Sequence, residues 1–431
     1  MKATRSALGS AASERSAWMQ ISSAARRVIV ARAARSVGQG ALVAAFALYL
    51  HTLQWSAPQI GAVLSGGLLV GAVLTIWIGP LSDRLGRRQF LLGYEAVMIA
   101  CAALAIVTTA PWALAAAAVI GGFGRGANGA AGPFGPLEQS WLAHGTPPAL
   151  RTRMFSLNST LGMLGMALGA LLGAAPAWLQ HWLPSDWAWR SLFVLPLLGS
   201  ALGFVLLLRA QDARPAAAES AMSRLHPMQP AADRSAQLAR QRENALLLRL
   251  ALVNALNGLG IGIVAPLMAY WFMLRFGHGP ASIGPALAAS FVAAAIGAQL
   301  ASLLAQRIGA VRAVVTMRAA GLVLLLLTPL APTFWLAATF HALRASANQG
   351  TIGVRQALSM SLTAANRRGL AATINNVSIQ IPRAIGPLLG ALLLQRGWLV
   401  APFVAAALLQ AAYLLLYHRF FRAVEPTLAA D

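Results

Sequence analysis

About 20 predominantly apolar residues in a row, twelve times over, dominate this chain, with runs centred near residues 40, 70, 99, 124, 166, 199, 260, 293, 321, 344, 382 and 408. A run of that length crosses the hydrocarbon of a bilayer as a helix, the one open-chain form that satisfies its own backbone there. The rest of the composition agrees: 58% of the 431 residues are hydrophobic and 10% charged, and the mean hydropathy is +0.66. Such a chain is too apolar for a soluble domain. It is expected to be an all-α, multi-pass membrane protein in contact with lipid on most of its surface.

The formal net charge of +22 invites a nucleic-acid reading, but the distribution of charge argues otherwise. Of the 33 Lys and Arg residues, only Arg190, Arg275 and Arg396 fall in loops on one side of the expected membrane, while most of the others flank the opposite side. That is the positive-inside asymmetry, and it puts both termini in the cytoplasm. Residues 1–25 read as a cytoplasmic tail, with no small-residue cleavage site after a short apolar core, so the first span is expected to be retained. Residues 26–208 form a first six-helix bundle, 209–245 a polar cytoplasmic linker with Pro215, Pro227 and Pro230, 246–418 a second bundle and 419–431 a second tail. Trp178, Trp182, Trp187 and Trp189 between spans 5 and 6 suit the headgroup level.

The two bundles read as copies. Arg151 and Arg368, Asn158 and Asn375, Gly169 and Gly386, and Gly173 and Gly390 are each 217 residues apart. Ile60 and Gly61 match Ile283 and Gly284 at a spacing of 223, as do Arg84 with Arg307 and Gly86 with Gly309. Arg125 and Arg344 are 219 apart. Six spans per copy keep both in one orientation, the parallel repeat of rocking transporters.

Between spans 2 and 3 the segment GPLSDRLGRRQF, residues 79–90, closely resembles the loop signature of the major facilitator superfamily. The resemblance implies twelve helices in two pseudo-symmetric bundles working by alternating access. It also implies that Gly79 permits close packing, that Asp83 joins a charge network with Arg84 and Arg88, and that Gly86 makes the tight turn. The second copy, SLLAQRIGAVR, keeps Arg307 and Gly309 but has Gln306 where Asp83 stands, so the network is expected on one side only. Arg125 in the Gly-rich span 4 resembles the second signature of the proton-linked exporters, and the following GPFGPLEQSWLA, with Glu138, is similar to a bacterial efflux-type branch. Span 5 has Gly162, Gly165, Gly169 and Gly173 but lacks the proline of the antiporter signature, which the glycine ladder of close helix packing does not need. Span 11 instead holds the Gly386–Pro387 pair.

Seven arginines lie inside the apolar runs: Arg32, Arg35, Arg125, Arg318, Arg344, Arg355 and Arg383; the one carboxylate expected at comparable depth is Glu95. An arginine facing lipid at the centre of a span costs about 2.5–3.5 kcal/mol, so most of these must face protein or water. The resemblance implies that spans 1, 4, 7 and 10 line a cavity. Its expected substrate-binding residues are then Arg32, Arg35, Arg125, Asn128, Asn254, Asn257, Arg344 and Asn348, with coupling or gating by Asp83, Arg84, Gly86, Arg88, Glu95 and Glu138. Arg32 with Arg35, and Asn254 with Asn257, each sit three apart and share a helix face. Guanidiniums and amides together suit a carboxylate, phosphate, sulfonate or hydroxamate. Each residue also has a plainer reading: Arg32, Arg318 and Arg355 near helix ends can reach the interface, and Arg35 or Arg125 can neutralise Glu95.

His51, His278 and His341 have no metal-ligand spacing, Cys101 is the single cysteine, and neither GxxxxGK[ST] nor GxSxG occurs. No metal, cofactor or enzymatic activity is expected. The chain is expected to be a monomeric secondary transporter of a bacterial inner membrane, exporting a siderophore-like or drug-like organic anion or zwitterion, with protons as a possible coupling ion. Uptake of an organic acid and lipid flipping are the alternatives.

Overall fold

The computed structural model describes residues 22–125, 135–144, 148–210, 234–361 and 368–421. The two tails and most of the linker lie outside these residues, as do Asn128 and the side chains of Asp83 and Arg84. Among the described residues the fold is helical throughout. Ten of the helical segments are long and apolar enough to cross a membrane.

The first half comprises α1 (Ser23–Thr52), α2 (Ala57–Leu85), α3 (Arg87–Val107), α4 (Pro111–Gly121), α5 (Gly135–His144), α6 (Pro148–Leu172), the short α7 (Ala175–Leu179) and α8 (Ser185–Arg190), and α9 (Val194–Leu208). The second comprises α10 (Arg234–Val264), α11 (Met268–Phe276), α12 (Pro280–Ile308), α13 (Ala310–Leu327), α14 (Phe334–Ser361), α15 (Arg368–Gln395) and α16 (Ala401–Phe421). Helix α10 begins inside the stretch expected as linker, because RSAQLARQREN is built of good helix formers with neither Gly nor Pro. The expected spans that fall outside the ten apolar ones are the fourth and the tenth. Helix α4 is short, and α14 carries His341, Arg344, Asn348, Gln349 and Arg355. The two departures fall on repeat-related spans, one by its length and the other by its polar residues.

The duplication read from spacing is visible in the packing. A Cβ on Gly169 of α6 would stand 1.9 Å from the Val37 carbonyl of α1, and one on Gly386 of α15 would stand 2.2 Å from the carbonyl carbon of Gly262 in α10. The related turns match as well: Gly86 between α2 and α3 has φ 98°, and Gly309 between α12 and α13 has φ 90°. Both need a residue without a Cβ at that backbone angle.

The ends of the bundle are distinguishable. Arg88 donates through Nε to the Leu207 carbonyl at 3.1 Å and through Nη2 to that of Leu208, and Arg27 donates to that of Arg209. These cations close the C-terminus of α9 where the linker leaves. This is the arginine-rich end, hence the cytoplasmic one. At the outer end the halves meet. A Cβ on Gly61 of α2 would lie 2.5 Å from Ala391 and 2.7 Å from the Pro387 carbonyl of α15, and one on Gly284 of α12 would lie 2.6 Å from the Ala170 carbonyl of α6. The Leu388 amide donates to Ser65 Oγ at 3.0 Å, and the rings of His51 and Tyr270 stand 5.5 Å apart. The largest apolar core runs across both halves, while Leu250, Val253, Val314, Tyr413 and Tyr417 form a separate core nearer the cytoplasmic end of the second half. Trp178, Trp182 and Trp187 are exposed at the outer rim. Trp189 instead turns inward and stacks on Tyr49.

Candidate functional site

In the first half the charges gather on one residue. Arg35, 1% exposed on α1, forms ion pairs through Nη1 with Glu95 of α3 and through Nη2 with Glu138 of α5. Its guanidinium also lies 5.3 Å from the centre of the Tyr94 ring. Glu95 fits because Gly203 of α9 faces it: a Cβ there would come within 2.9 Å of Glu95 Oε1. The second oxygens of Glu95 and Glu138 have no hydrogen-bond partner among the described residues. Two carboxylates on one guanidinium leave a surplus negative charge, with the half-buried Arg32 one turn away on the same helix. The sequence reading counted one deep carboxylate. The fold supplies a second: Glu138 of α5, beyond the interruption of span 4 in the sequence, is buried and paired with Arg35.

That interruption begins where α4 stops at Gly121 and Gly122 and Gly124 take φ 62° and 74°. Arg125 follows, 3% exposed, and folds back over the helix end so closely that a Cβ on Gly122 would meet its Nε at 1.7 Å. The carbonyl end of α4 favours a cation there. Arg125 Nη1 reaches the Tyr94 hydroxyl at 3.3 Å, its Nε and Nη2 have no partner among the described residues, and no carboxylate there is paired with it.

The second half holds its arginines differently. Arg318 of α13 donates to Thr351 Oγ1 and Asn257 Oδ1, both at 3.0 Å. Arg355 of α14 donates to Asn254 Oδ1 at 2.8 Å. Both guanidiniums lie 5.5 Å from the centre of the Tyr413 ring. Asn254 and Asn257, expected to line a cavity, are thus almost fully enclosed and turned toward arginines of neighbouring helices. Arg344, 5% exposed, has neither a hydrogen bond nor an ion pair among the described residues. Near it on α14 are His341, whose Nδ1 is unpartnered there, and Asn348, whose Oδ1 is likewise unpartnered. Arg383 of α15, 3% exposed, crosses to the first half and donates through Nη2 to the Arg125 carbonyl at 3.0 Å.

The arrangement thus separates into a carboxylate-bearing cluster on α1, α3 and α5 and a cationic region on α13, α14 and α15 that holds no carboxylate among the described residues. Sequence reasoning missed the meeting of Glu138 with Arg35 and the reach of Arg383 across the halves. The flanking glycines of span 4 were the available signal for the first; for the second there was only depth in the span. Groups of His, Cys, Asp and Glu able to hold a metal ion are absent among the described residues.

Comparison with known proteins adds the following. A family model described as Major Facilitator Superfamily matches residues 28–247 and 250–430. A gentisate transporter of Corynebacterium glutamicum is 26% identical over 275 residues, which cover 63% of this chain and 58% of that protein. The multidrug transporter MdfA of Yersinia pestis is 29% identical over 173 residues, 40% of this chain and 38% of its own. The chain therefore spans less than two thirds of the length of these relatives. Among solved structures, a D-xylose-proton symporter superposes with a TM-score of 0.70 at 15% identity, covering 92% of this chain and 97% of that one.

Proposed function

The chain belongs to the major facilitator superfamily, and on that footing we propose that it carries a small organic anion across a bacterial cytoplasmic membrane by alternating access, as a monomer. The observation that carries this reading is the absence of any carboxylate, among the described residues, beside Arg318, Arg344, Arg355 and Arg383. A buried guanidinium without a counter-charge is expensive. In a transporter the missing charge is supplied by the cargo, which is held by flat two-donor forks. Arg344 and Arg125, related by the repeat, are the proposed contacts, with Asn348 one turn from Arg344 on α14 and Arg32 contributed by α1.

Glu95 and Glu138 are proposed to carry the coupling proton, since two carboxylates share one guanidinium and one of them can be neutral while the other keeps the ion pair. The packed outer end corresponds to a state open toward the cytoplasm. Export is the proposed direction, on the strength of the multidrug relative. The gentisate relative supports an aromatic carboxylate as the first compound to try.

Flux of labelled gentisate in proteoliposomes under imposed proton gradients tests the reading. Transport that follows the gradient, runs outward under an inward proton gradient and is lost in Glu138→Gln supports it. Transport of cationic dyes with no response to any carboxylate would overturn the substrate class.

A further inference from the structure

Arg383 has no place in the loop signature or in the four spans expected to line a cavity. It stands fifteen residues into α15, which at 1.5 Å per residue is about 22 Å from the cytoplasmic start of that helix and so near mid-membrane. Its bond to the Arg125 carbonyl joins the two halves at that depth. The inter-half contacts at Gly61, Ser65, His51 and Gly284 lie nearer the outer end.

Both partners in this bond are unusual. The carbonyl of Arg125 stands just beyond the end of α4, where Gly122 and Gly124 turn the chain out of the helix with φ 62° and 74°. The guanidinium is almost wholly buried, and its Nε has no acceptor among the described residues. A cation in that setting is satisfied only in part by one neutral carbonyl. A carboxylate or another oxyanion would accept from Nε and Nη2 together and hold the charge more strongly.

We propose that Arg383 is the second half's anchor for the anionic group of the cargo, and that the anion takes Arg383 from the Arg125 carbonyl. Loading then releases the tie between the halves at mid-membrane, and the empty carrier stays closed at its outer end. This rests on the anion reading above and gives it a residue on span 11 and a trigger for the conformational change.

The test uses the full-length protein in nanodiscs with Cys101→Ala and nitroxide labels at Gln180→Cys and Thr333→Cys, exposed positions at the outer end of opposite halves. Electron–electron dipolar spectroscopy reads the outer-open population with benzoate or with its neutral counterpart benzamide. Benzoate is expected to raise that population, and benzamide to leave it unchanged. Arg383→Gln is expected to raise it without ligand and to weaken benzoate binding by roughly tenfold or more, the factor for one lost charge-assisted hydrogen bond. Arg383→Lys, which keeps the charge but not the fork, is expected to fall between the two, and thermal unfolding of both variants checks that they are folded. A benzoate response in Arg383→Gln equal to that of the parent overturns the anchor and leaves anion transport standing. A parent that ignores benzoate while Arg383→Gln opens overturns the anchor together with the anion reading.

Discussion

The two halves of this molecule share a fold and a repeat, and they treat buried arginine in opposite ways. In the first half Arg35 is enclosed by Glu95 and Glu138, so the charge is answered within the protein. In the second, Arg318 and Arg355 rest on amides, a hydroxyl and an aromatic face, and Arg344 rests on nothing charged among the described residues. A duplicated bundle has thus diverged into one side that holds carboxylates against its deepest arginine and one that, among the described residues, holds none. The difference assigns different work to the same residue type: Arg35, with its two carboxylates, as structure, and Arg344, with its repeat counterpart Arg125 of the first half, as receptor.

The largest effect that tests this contrast is expected at Arg35. Arg35→Ala strands two buried carboxylates, and breaking a buried ion pair by removing one partner costs about 3–5 kcal/mol. The variant is expected to accumulate poorly and to unfold many degrees below the parent in a detergent melt. Adding Glu138→Gln to Arg35→Ala is expected to recover part of the loss. A single variant that melts with the parent would show that the first half does not depend on its ion pairs.

A smaller effect on stability, and a large one on transport, is expected at Gly122. Gly122→Ala meets the Arg125 side chain where it folds back and forces φ 62° on a residue with a Cβ, at a cost of roughly 1–2 kcal/mol. Gly277, at φ 69° with open space around it, is the control. Gly277→Ala carries the strain without the displacement of an arginine, so it is expected to lower the melting temperature alone and to leave gentisate flux near that of the parent. Equal loss of flux in both variants would separate Arg125 from transport.

At Arg344 the expected sign reverses. Arg344→Gln orphans no partner among the described residues, so stability is expected to hold, while the apparent affinity for a carboxylate falls by about tenfold to a hundredfold, the range for a hydrogen bond to a charged group. Competition against labelled gentisate measures it.

How far this contrast was legible in the sequence follows from the range of each interaction. Spans, orientation, the loop glycines and the repeat are written in composition and spacing, and Gly86 with Gly309 or Gly169 with Gly386 fell into equivalent places as their spacing predicted. Pairing between distant helices is not written there. Nothing local says that Glu138 turns inward to Arg35, since that depends on how α5 packs against α1. Nor does anything local say that Asn254 and Asn257, three apart on one face, face arginines of α13 and α14 instead of open space. A helix face can be read from its period, whereas the neighbour that covers it depends on how the bundle closes.

The smallest expected effect divides the two halves most cleanly. Arg318 is as deeply buried as Arg125 or Arg383, yet its partners are neutral, and Thr351 keeps a hydrogen bond to the Asn348 carbonyl at 2.9 Å without it. Arg318→Met removes a desolvated charge and fills similar volume; of the two acceptors it deprives, Thr351 Oγ1 keeps that other bond and only the Asn257 oxygen is left with none from Arg318. Replacing buried charge by apolar side chains of similar size is often neutral or stabilising by about 1–4 kcal/mol, which offsets the cost of about 1–3 kcal/mol for a buried acceptor left unpaired, so the net change is expected to stay within about 1 kcal/mol either way. Pairing it with Asn257→Leu, which removes the deprived acceptor, is expected to bring the melt back to that of the parent. If Arg318→Met unfolds the protein as Arg35→Ala is expected to, burial alone decides what an arginine is worth here, and the distinction between an answered charge and an unanswered one disappears.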